Sequence, residues 1–232
     1  MTKLLLSVFT ILISLSISFS AEKDYMGMSK DQVKNSIQTM QIYDASLIYP
    51  YPTWFSTDLV GDVYRSQKGI SFLYEQIPTG QSFDNWKEIY TISGLYDKEN
   101  KLSVSQYANY VLSGFVKSCG KNVKILNTAK TESSSMSILL CGSLSNKNIK
   151  AYNNNPGEIA IFKFIKFKST LIQIGQEWKT KSFDAASINQ ADFLENTYKY
   201  VNSKEAFSTA FKEIHENVSV TQAISNSILT KL

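Results

Sequence analysis

The residues of this chain that could carry hydrolytic chemistry are four carboxylates on or beside predicted strands: Glu75, Asp84, Glu88 and Glu177. Glu75 and Glu177 each alternate with apolar neighbours along an extended segment, so both could face a cleft. A pair of facing carboxyl groups can serve as general acid and general base in a hydrolase. Solvent-facing positions on a strand show the same alternation, and the sequence leaves both interpretations open.

The sequence contains few of the residues that other catalytic sites or metal sites require. His215 is the single histidine, and it lies in a predicted C-terminal helix far in sequence from either cysteine. Glu213 and His215 are two residues apart, so a helix would point them to different sides and they could not share a metal ion. The sequence has no GxSxG motif and no Gly-rich phosphate-binding motif. We therefore expect no catalytic set of these kinds, no metal site and no cofactor.

The charge and the kind of basic residue bear on nucleic-acid binding. The formal net charge is +4, and among the 24 basic residues Arg65 is the single arginine. Specific recognition of bases and phosphates relies heavily on the bidentate arginine fork. We therefore expect no specific nucleic-acid recognition.

The first 20 residues have the pattern of a secretory signal peptide. Lys3 precedes an apolar stretch from Leu4 to Ile17, and Ser18-Phe19-Ser20 is a small-x-small cleavage site. The apolar stretch is shorter than the ~20 residues that span a bilayer, which favours a cleaved leader over an uncleaved membrane anchor. We expect an exported soluble protein, periplasmic or extracellular, with no stable membrane insertion after cleavage.

Two cysteines, Cys119 and Cys141, could form a disulfide in an oxidising compartment. Cys119 would lie at the end of a predicted helix, and Cys141 would lie in a predicted central strand. Closing a loop of about 22 residues would stabilise the fold by on the order of 3 kcal/mol. Two buried free thiols are the alternative, because a sequence does not establish the geometry that a disulfide needs.

An aromatic and proline-containing segment runs from Ile48 to Phe55. Its two prolines exclude a helix interior and a central strand. Aromatic side chains on an extended loop either cover the edge of a core or form an exposed binding surface. On the second interpretation, Tyr51, Trp54 and Phe55 are the candidate binding residues.

A lysine cluster, Lys163, Lys166 and Lys168, lies in an otherwise apolar run. Charges of this kind commonly protect an edge strand against pairing with another chain. An anion-binding patch is the alternative interpretation.

Hydrophobic periodicity and capping predict the elements that would position these residues. Ser103 and Gln106 form a capping-box pattern before an apolar stripe that ends at Cys119, and Gly120 is a suitable C-terminal stop. Further helices are predicted at about 30–41, 192–201 and 203–214, and strands at about 70–77, 86–92, 123–127, 136–142, 159–167 and 171–178.

This order of elements predicts an α+β fold, mainly an antiparallel sheet of about six strands with helices packed on one face. PsbP-like and Mog1-like sandwiches have this general character, as a fold analogy that carries no function. The chain would divide into a signal peptide at 1–20, an N-terminal helix and aromatic extension at 21–69, an α+β core domain at 70–202 and a C-terminal helical extension at 203–232.

One constellation of residues resembles a known group of proteins. The residues that carry it are, in chain order, Glu75, Pro78, Gly80, Trp86, Cys119, Cys141, Phe162-Lys163 and Glu177-Trp178. Their order is similar to that of uncharacterised signal-peptide-bearing exported proteins of Gram-negative bacteria, over about residues 70–200. The resemblance implies an exported domain with both cysteines paired, and it implies no activity.

These observations favour a non-enzymatic protein that binds a protein partner or a small ligand in the envelope or outside the cell. This interpretation rests on the lack of catalytic constellations and on the aromatic segment at 48–55. The alternative function is a secreted hydrolase that uses paired carboxylates, with Glu75 and Glu177 as its candidates.

Overall fold

The computed structural model describes residues 33–56, 60–144, 156–201 and 203–223. Apart from the two helical residues at 33–34, these residues form ten strands and three helices. The strands are β1 (Ile37–Ile42), β2 (Ala45–Pro50), β3 (Val60–Lys68), β4 (Ser71–Pro78), β5 (Glu88–Tyr96), β6 (Val123–Lys130), β7 (Ser134–Cys141), β8 (Gly157–Phe167), β9 (Thr170–Thr180) and β10 (Ser219–Gln222). The helices are α1 (Val104–Cys119), α2 (Phe193–Tyr198) and α3 (Lys204–Glu216). Antiparallel sheets with a few packed helices make this an α+β fold, as the sequence predicts.

Seven strands form one antiparallel sheet in the spatial order β3-β4-β5-β9-β8-β7-β6. The central strands β8 and β9 are buried along nearly their whole length, and their alternate residues face two different hydrophobic clusters. A two-residue turn joins them at Lys168 and Ser169, where Lys168 has a φ of 51°. The Asp44 carboxylate accepts hydrogen bonds from the Ser169 backbone N–H and the Thr170 hydroxyl, which holds this turn against the β1–β2 turn.

A second layer covers one face of the seven-stranded sheet. It consists of the small antiparallel sheet β1-β2-β10 together with α2 and α3. Ile159 and Ile161 of β8 lie in one hydrophobic cluster with Leu47 of β2 and Ile214 of α3. This cluster is the main core of the protein.

Helix α1 covers the opposite face of the sheet. The Ser103 hydroxyl accepts a hydrogen bond from the Gln106 backbone N–H, and the Gln106 side chain accepts one from the Ser103 N–H, so the predicted capping box is confirmed. Gly120 follows the helix with a φ of 60°. Cys119, at the end of the helix, forms a disulfide with Cys141 of β7, which confirms the predicted pairing.

The aromatic segment lies in the core, and its first three residues end β2, the middle strand of the small sheet, so the exclusion of a central strand is wrong for Pro50. Tyr51, Trp54 and Phe55 are only 8, 3 and 3% exposed. Trp54 Nε1 donates a hydrogen bond of 2.8 Å to Gln176 Oε1, and the Trp54 ring meets the Tyr90 ring edge-on. Burial therefore supports the core interpretation of this segment, and the three candidate binding residues present little surface to a partner.

Two lysines of the predicted cluster, Lys163 and Lys166, lie in β8 and donate hydrogen bonds to backbone carbonyls. The Lys163 ammonium donates hydrogen bonds of 2.7 and 2.9 Å to the carbonyls of His215 and Val218, where α3 ends. The Lys166 ammonium, on the other face, donates to the Leu102 carbonyl before α1. Because β8 is an interior strand, the prediction of edge protection is wrong. The two side chains point to opposite faces of the sheet, so they do not form one anion-binding patch.

The N-terminal region and the placement of the helices differ from prediction. A helix at about 30–41 is wrong for its described part, since only residues 33–34 are helical and β1 begins at Ile37. Pairing of β1 with β2 decides the conformation there, against a weak helical spacing of apolar residues. Helices lie on both faces of the large sheet and not on one.

The segments expected as extensions, 21–69 and 203–232, contribute described residues to the same core as the expected core domain at 70–202. β3 pairs with β4 across the expected boundary between residues 69 and 70. Helix α3, beyond the expected boundary at 202, packs in the same cluster as β8. Within the described residues, the seven-stranded sheet and its covering layers therefore cross both boundaries.

Some expectations fall elsewhere in the chain. The signal peptide at 1–20 and the first residues of the helix expected at about 30–41 lie outside the described residues. Of the helices that are described, none combines the length and the apolar character that a membrane span requires.

Candidate functional site

A groove lies between α1 and the end of the large sheet where β8 begins and β9 ends. Its volume is about 370 Å³. Helix α1 supplies one wall, and β8 and β9 supply the floor. The lining residues are Trp86, Val111, Gly114, Phe115, Ser118, Leu144, Glu158, Glu177 and Lys179. Small-molecule sites in proteins are concave spaces of about this size with apolar walls and a few polar groups.

Two buried glutamates form the floor of the groove. Glu158 pairs with Lys179 across β8 and β9, and Ala160 pairs with Glu177, so Glu158 and Glu177 are diagonal neighbours on the α1 side of the sheet. Their side chains are 5 and 9% exposed, and their carboxyl groups hydrogen-bond to each other. Such a hydrogen bond requires that one carboxyl group carries a proton. The Thr91 hydroxyl donates a further hydrogen bond of 3.2 Å to Glu177 Oε1.

The electrostatics of this pair favour retention of the shared proton. Burial first, and then the charge and the hydrogen bond of Glu158, raise the pKa of Glu177 well above 4.5. The hydrogen bond from Thr91 acts in the opposite direction. Burial also raises the pKa of Glu158, against a smaller opposing effect of its hydrogen bond to Glu177. The pair therefore keeps a proton at pH values where an isolated glutamate is ionised.

Glu75 lies on the same face of the sheet as this pair. It is half-buried on β4, opposite Thr91 of β5, and burial raises the pKa of its carboxyl group. Its charge also contributes to the raised pKa of Glu177. The structure thus places the predicted candidates Glu75 and Glu177 on one face, but the hydrogen-bonded partner of Glu177 is Glu158.

The other two sequence candidates lie away from the groove. Glu88 is buried on the opposite face, where its carboxylate accepts a hydrogen bond of 2.9 Å from the Ser56 backbone N–H. Asp84 is exposed in the loop before β5. Sequence reasoning missed Glu158, although counting the hairpin register back from the Lys168 turn places it diagonally across from Glu177.

Trp86 and Lys179 form one side of the groove. The Lys179 ammonium lies 3.7 Å from the centre of the Trp86 ring, which is a cation–π contact. Burial lowers the pKa of Lys179 to about 8. The groove therefore becomes more negative as the pH rises through this range, because the lysine loses its charge.

The wall from α1 contains a glycine that the protein's own packing does not explain. Val111, Gly114, Phe115 and Ser118 recur at helical spacing along this wall, and the Phe115 ring packs 5.3 Å from that of Phe162. A Cβ atom at Gly114 would have no heavy atom within 4 Å apart from its chain neighbours and the nearby backbone of its own helix. Glycine in a helix interior is about 0.5–1 kcal/mol less favourable than alanine. What Gly114 provides is space at the side of the groove.

This arrangement can bind and orient a small molecule. The wall of α1 and the Trp86 ring offer apolar surface, and the carboxyl pair offers a charged or hydrogen-bonding end. The pair can also take up or release a proton, which is the requirement for acid–base chemistry.

Comparison with known proteins gives only a general likeness. No protein-family model matches the chain, and no curated protein sequence matches it. Among solved structures, the chain is similar to the Ran-binding protein Mog1p of Saccharomyces cerevisiae, with 8% sequence identity and a TM-score of 0.42, over 79% of this chain and 95% of that chain. A mutant of protein Mog1 gives 8% identity and a TM-score of 0.43, over 81% of this chain and 97% of that chain. Likenesses at this level carry no argument about what this protein binds.

Proposed function

We propose that this protein is an exported, non-catalytic binding protein that holds a small ligand in the groove between α1 and the sheet. One observation carries the proposal: a concave space of about 370 Å³ has an apolar helix wall on one side and a buried carboxyl pair at its floor. Ligand sites commonly combine apolar lining with a few such polar groups.

Two features of the groove lower the stability of the folded protein without serving its packing. The Glu158 and Glu177 carboxyl groups are buried close together, which disfavours their charged forms. Gly114 weakens the helix at a position where a larger residue would fit. Departures from locally optimal sequence of this kind are expected at functional sites.

The volume of the groove favours a small ligand over a protein partner. At about 370 Å³ it lies near the lower end of the range for small-molecule pockets, about 300–1,000 Å³. The aromatic residues that were candidates for a protein-binding surface are buried. The disulfide between Cys119 and Cys141 supports an oxidising compartment and hence export.

A fragment screen by thermal shift tests the binding function. Ligands that stabilise the wild type should fail to stabilise Gly114→Leu, because the leucine side chain occupies space at the groove. Ser113→Leu is the matched control, since Ser113 is exposed on the same helix and does not line the groove. If no fragment stabilises the wild type, or if Gly114→Leu responds as Ser113→Leu does, the proposal is wrong.

Export is tested separately by cell fractionation with a periplasmic marker as the lysis control. We expect mature protein in the periplasm or the medium, shorter than the translated chain by about the length of a leader. Full-length protein in the cytoplasm would contradict this part of the proposal.

A hydrolase that uses paired carboxylates is the second candidate, and the contact between Glu158 and Glu177 favours it. In glycosidases the two catalytic carboxyl groups lie about 5–9.5 Å apart. The hydrogen-bonded carboxyl groups of Glu158 and Glu177 are closer together than that. Their contact is more like a proton-sharing dyad of the kind that activates water. A panel of glycoside, ester and peptide substrates tests it, and activity that survives Glu177→Gln would exclude the pair as the catalyst.

A further inference from the structure

The charges that face the floor of the groove are mainly negative. Glu158 of β8, Glu177 of β9 and Glu75 of β4 lie on this face of the sheet, and Lys179 of β9 is the one basic residue among those that line the groove in the described part of the chain. Strand β5 contributes the neutral Thr91. The lining residues of α1 are uncharged.

Burial raises the pKa of both carboxyl groups at the floor, so an empty groove favours a proton on the Glu158–Glu177 pair. Glu158 and Glu177 share a hydrogen bond that one ionised and one protonated carboxyl group can form. A second positive group next to both carboxyl groups would remove the need for that proton. Burial would strengthen the attraction, since the surroundings screen charge less than water does.

The walls indicate the rest of the ligand. Val111 and Phe115 present apolar surface, and the Trp86 ring, one face of which the Lys179 ammonium covers, also lines the groove. The space beside Gly114 leaves room for a bulky apolar body next to the helix. An inorganic cation would make no use of these walls.

We propose that the groove binds a small organic cation, an amine on an aromatic or aliphatic body, whose ammonium group lies between the Glu158 and Glu177 carboxylates and whose body lies against α1. This inference rests on the proposed binding function. It names the chemical class of the ligand, which the proposed function leaves open.

The affinity of the groove for an organic cation should depend on pH. The raised pKa values of Glu158 and Glu177 mean that protons compete with the ammonium group, so binding releases a proton and strengthens as the pH rises. The Lys179 ammonium opposes a cationic ligand until it loses its proton near pH 8, which acts in the same direction. We expect affinity to rise by about tenfold per pH unit where one proton is released.

Three probes with one body and different ends test the inference: 4-phenylbutylammonium, 4-phenylbutanol and 4-phenylbutyrate, measured by calorimetry at pH 5.5, 7 and 8.5. The ammonium probe should bind most tightly, and its affinity should rise with pH while that of the alcohol does not. Measurements in buffers of different ionisation enthalpy should show proton release. Glu158→Gln and Glu177→Gln should each weaken the ammonium probe by about tenfold or more. Glu99→Gln makes the same change of charge at an exposed position and should leave binding unchanged.

The outcomes separate this inference from the function on which it rests. Equal binding of all three probes, or tightest binding of the alcohol or the carboxylate, would overturn the ligand class and leave the binding function standing. Binding of none of them at millimolar concentration would overturn the ligand class, and the fragment screen would then decide the binding function by itself. Tight ammonium binding that Glu177→Gln and Glu158→Gln leave unchanged would place the cation elsewhere and overturn the inference.

Discussion

Replacing Gly114 with alanine should make the protein more stable. Alanine is about 0.5–1 kcal/mol more favourable than glycine in a helix interior. The methyl group meets no heavy atom within 4 Å beyond its own stretch of helix, so no clash opposes this gain. For a chain of about this size, 1 kcal/mol shifts the melting temperature by roughly 2–4 °C, so we expect an increase of about 1–4 °C.

The assay is urea denaturation of wild type and Gly114→Ala, with thermal melting as the second readout. Ser113→Ala is the control, because Ser113 lies one residue away, is also exposed and does not line the groove. Both variants should keep the wild-type dependence of unfolding free energy on urea, since neither changes the surface buried on folding. Destabilisation by Gly114→Ala would show that the position does need glycine for packing, and the argument from Gly114 to an open groove would fail.

Three further predictions concern the carboxyl pair, the disulfide and the aromatic segment. Because burial raises the pKa of Glu177, the wild type should lose stability as the pH rises above 4.5. Between pH 5 and pH 8, the free energy of unfolding should fall less for Glu177→Gln than for the wild type. An equal fall in both would mean that the pair does not hold its proton in the folded state. Replacing both Cys119 and Cys141 by alanine should lower the free energy of unfolding by on the order of 3 kcal/mol. On reduction, the intact mass of the wild type should rise by about two hydrogens, and that of the double variant should not change. Trp54→Ala should destabilise by about 3–5 kcal/mol, because it leaves a cavity and removes the hydrogen bond to Gln176, whereas a loss of less than about 1 kcal/mol would return Trp54 to the candidate binding residues.

The best-predicted elements are those whose local signals agree with their packing. Ser103 and Gln106 cap α1 as their spacing indicates, and the buried stripe of that helix brings Cys119 to Cys141. The β8–β9 hairpin could be predicted because two strands rich in Ile and Phe or Leu are joined by a short polar turn. In each case the decisive information lies within about 20 residues of sequence.

Elements that depend on distant partners could not be predicted in the same way. β1 is a strand because it pairs with β2, and β3 holds its place at the edge through pairing with β4. The aromatic segment has the same composition whether it is buried or exposed. Its place in the core depends on contacts such as that between Trp54 and Gln176, which are 122 residues apart.

The candidate site was predicted in part. The alternation around Glu75 and Glu177 indicated that each could face a cleft, and the structure places both on one face of the sheet. The contact of Glu177 with Glu158 follows from the register of the β8–β9 hairpin, which the alternation around Glu75 and Glu177 does not contain. The role of Gly114 depends on the open space beside it, which the helical pattern of α1 does not show. That space depends on the position of α1 relative to the sheet.

The most direct test of the account is an NMR titration that follows the indole N–H signals of the three tryptophans. Trp86 lines the groove, whereas Trp54 and Trp178 lie in the core on the other face of the sheet. On addition of the ammonium probe, or of any fragment that stabilises the protein, we expect a saturable shift of the Trp86 signal, assigned with Trp86→Phe, and little change in the other two. Saturable binding that leaves the Trp86 signal unmoved, or that shifts Trp54 and Trp178 instead, would contradict the groove as the site.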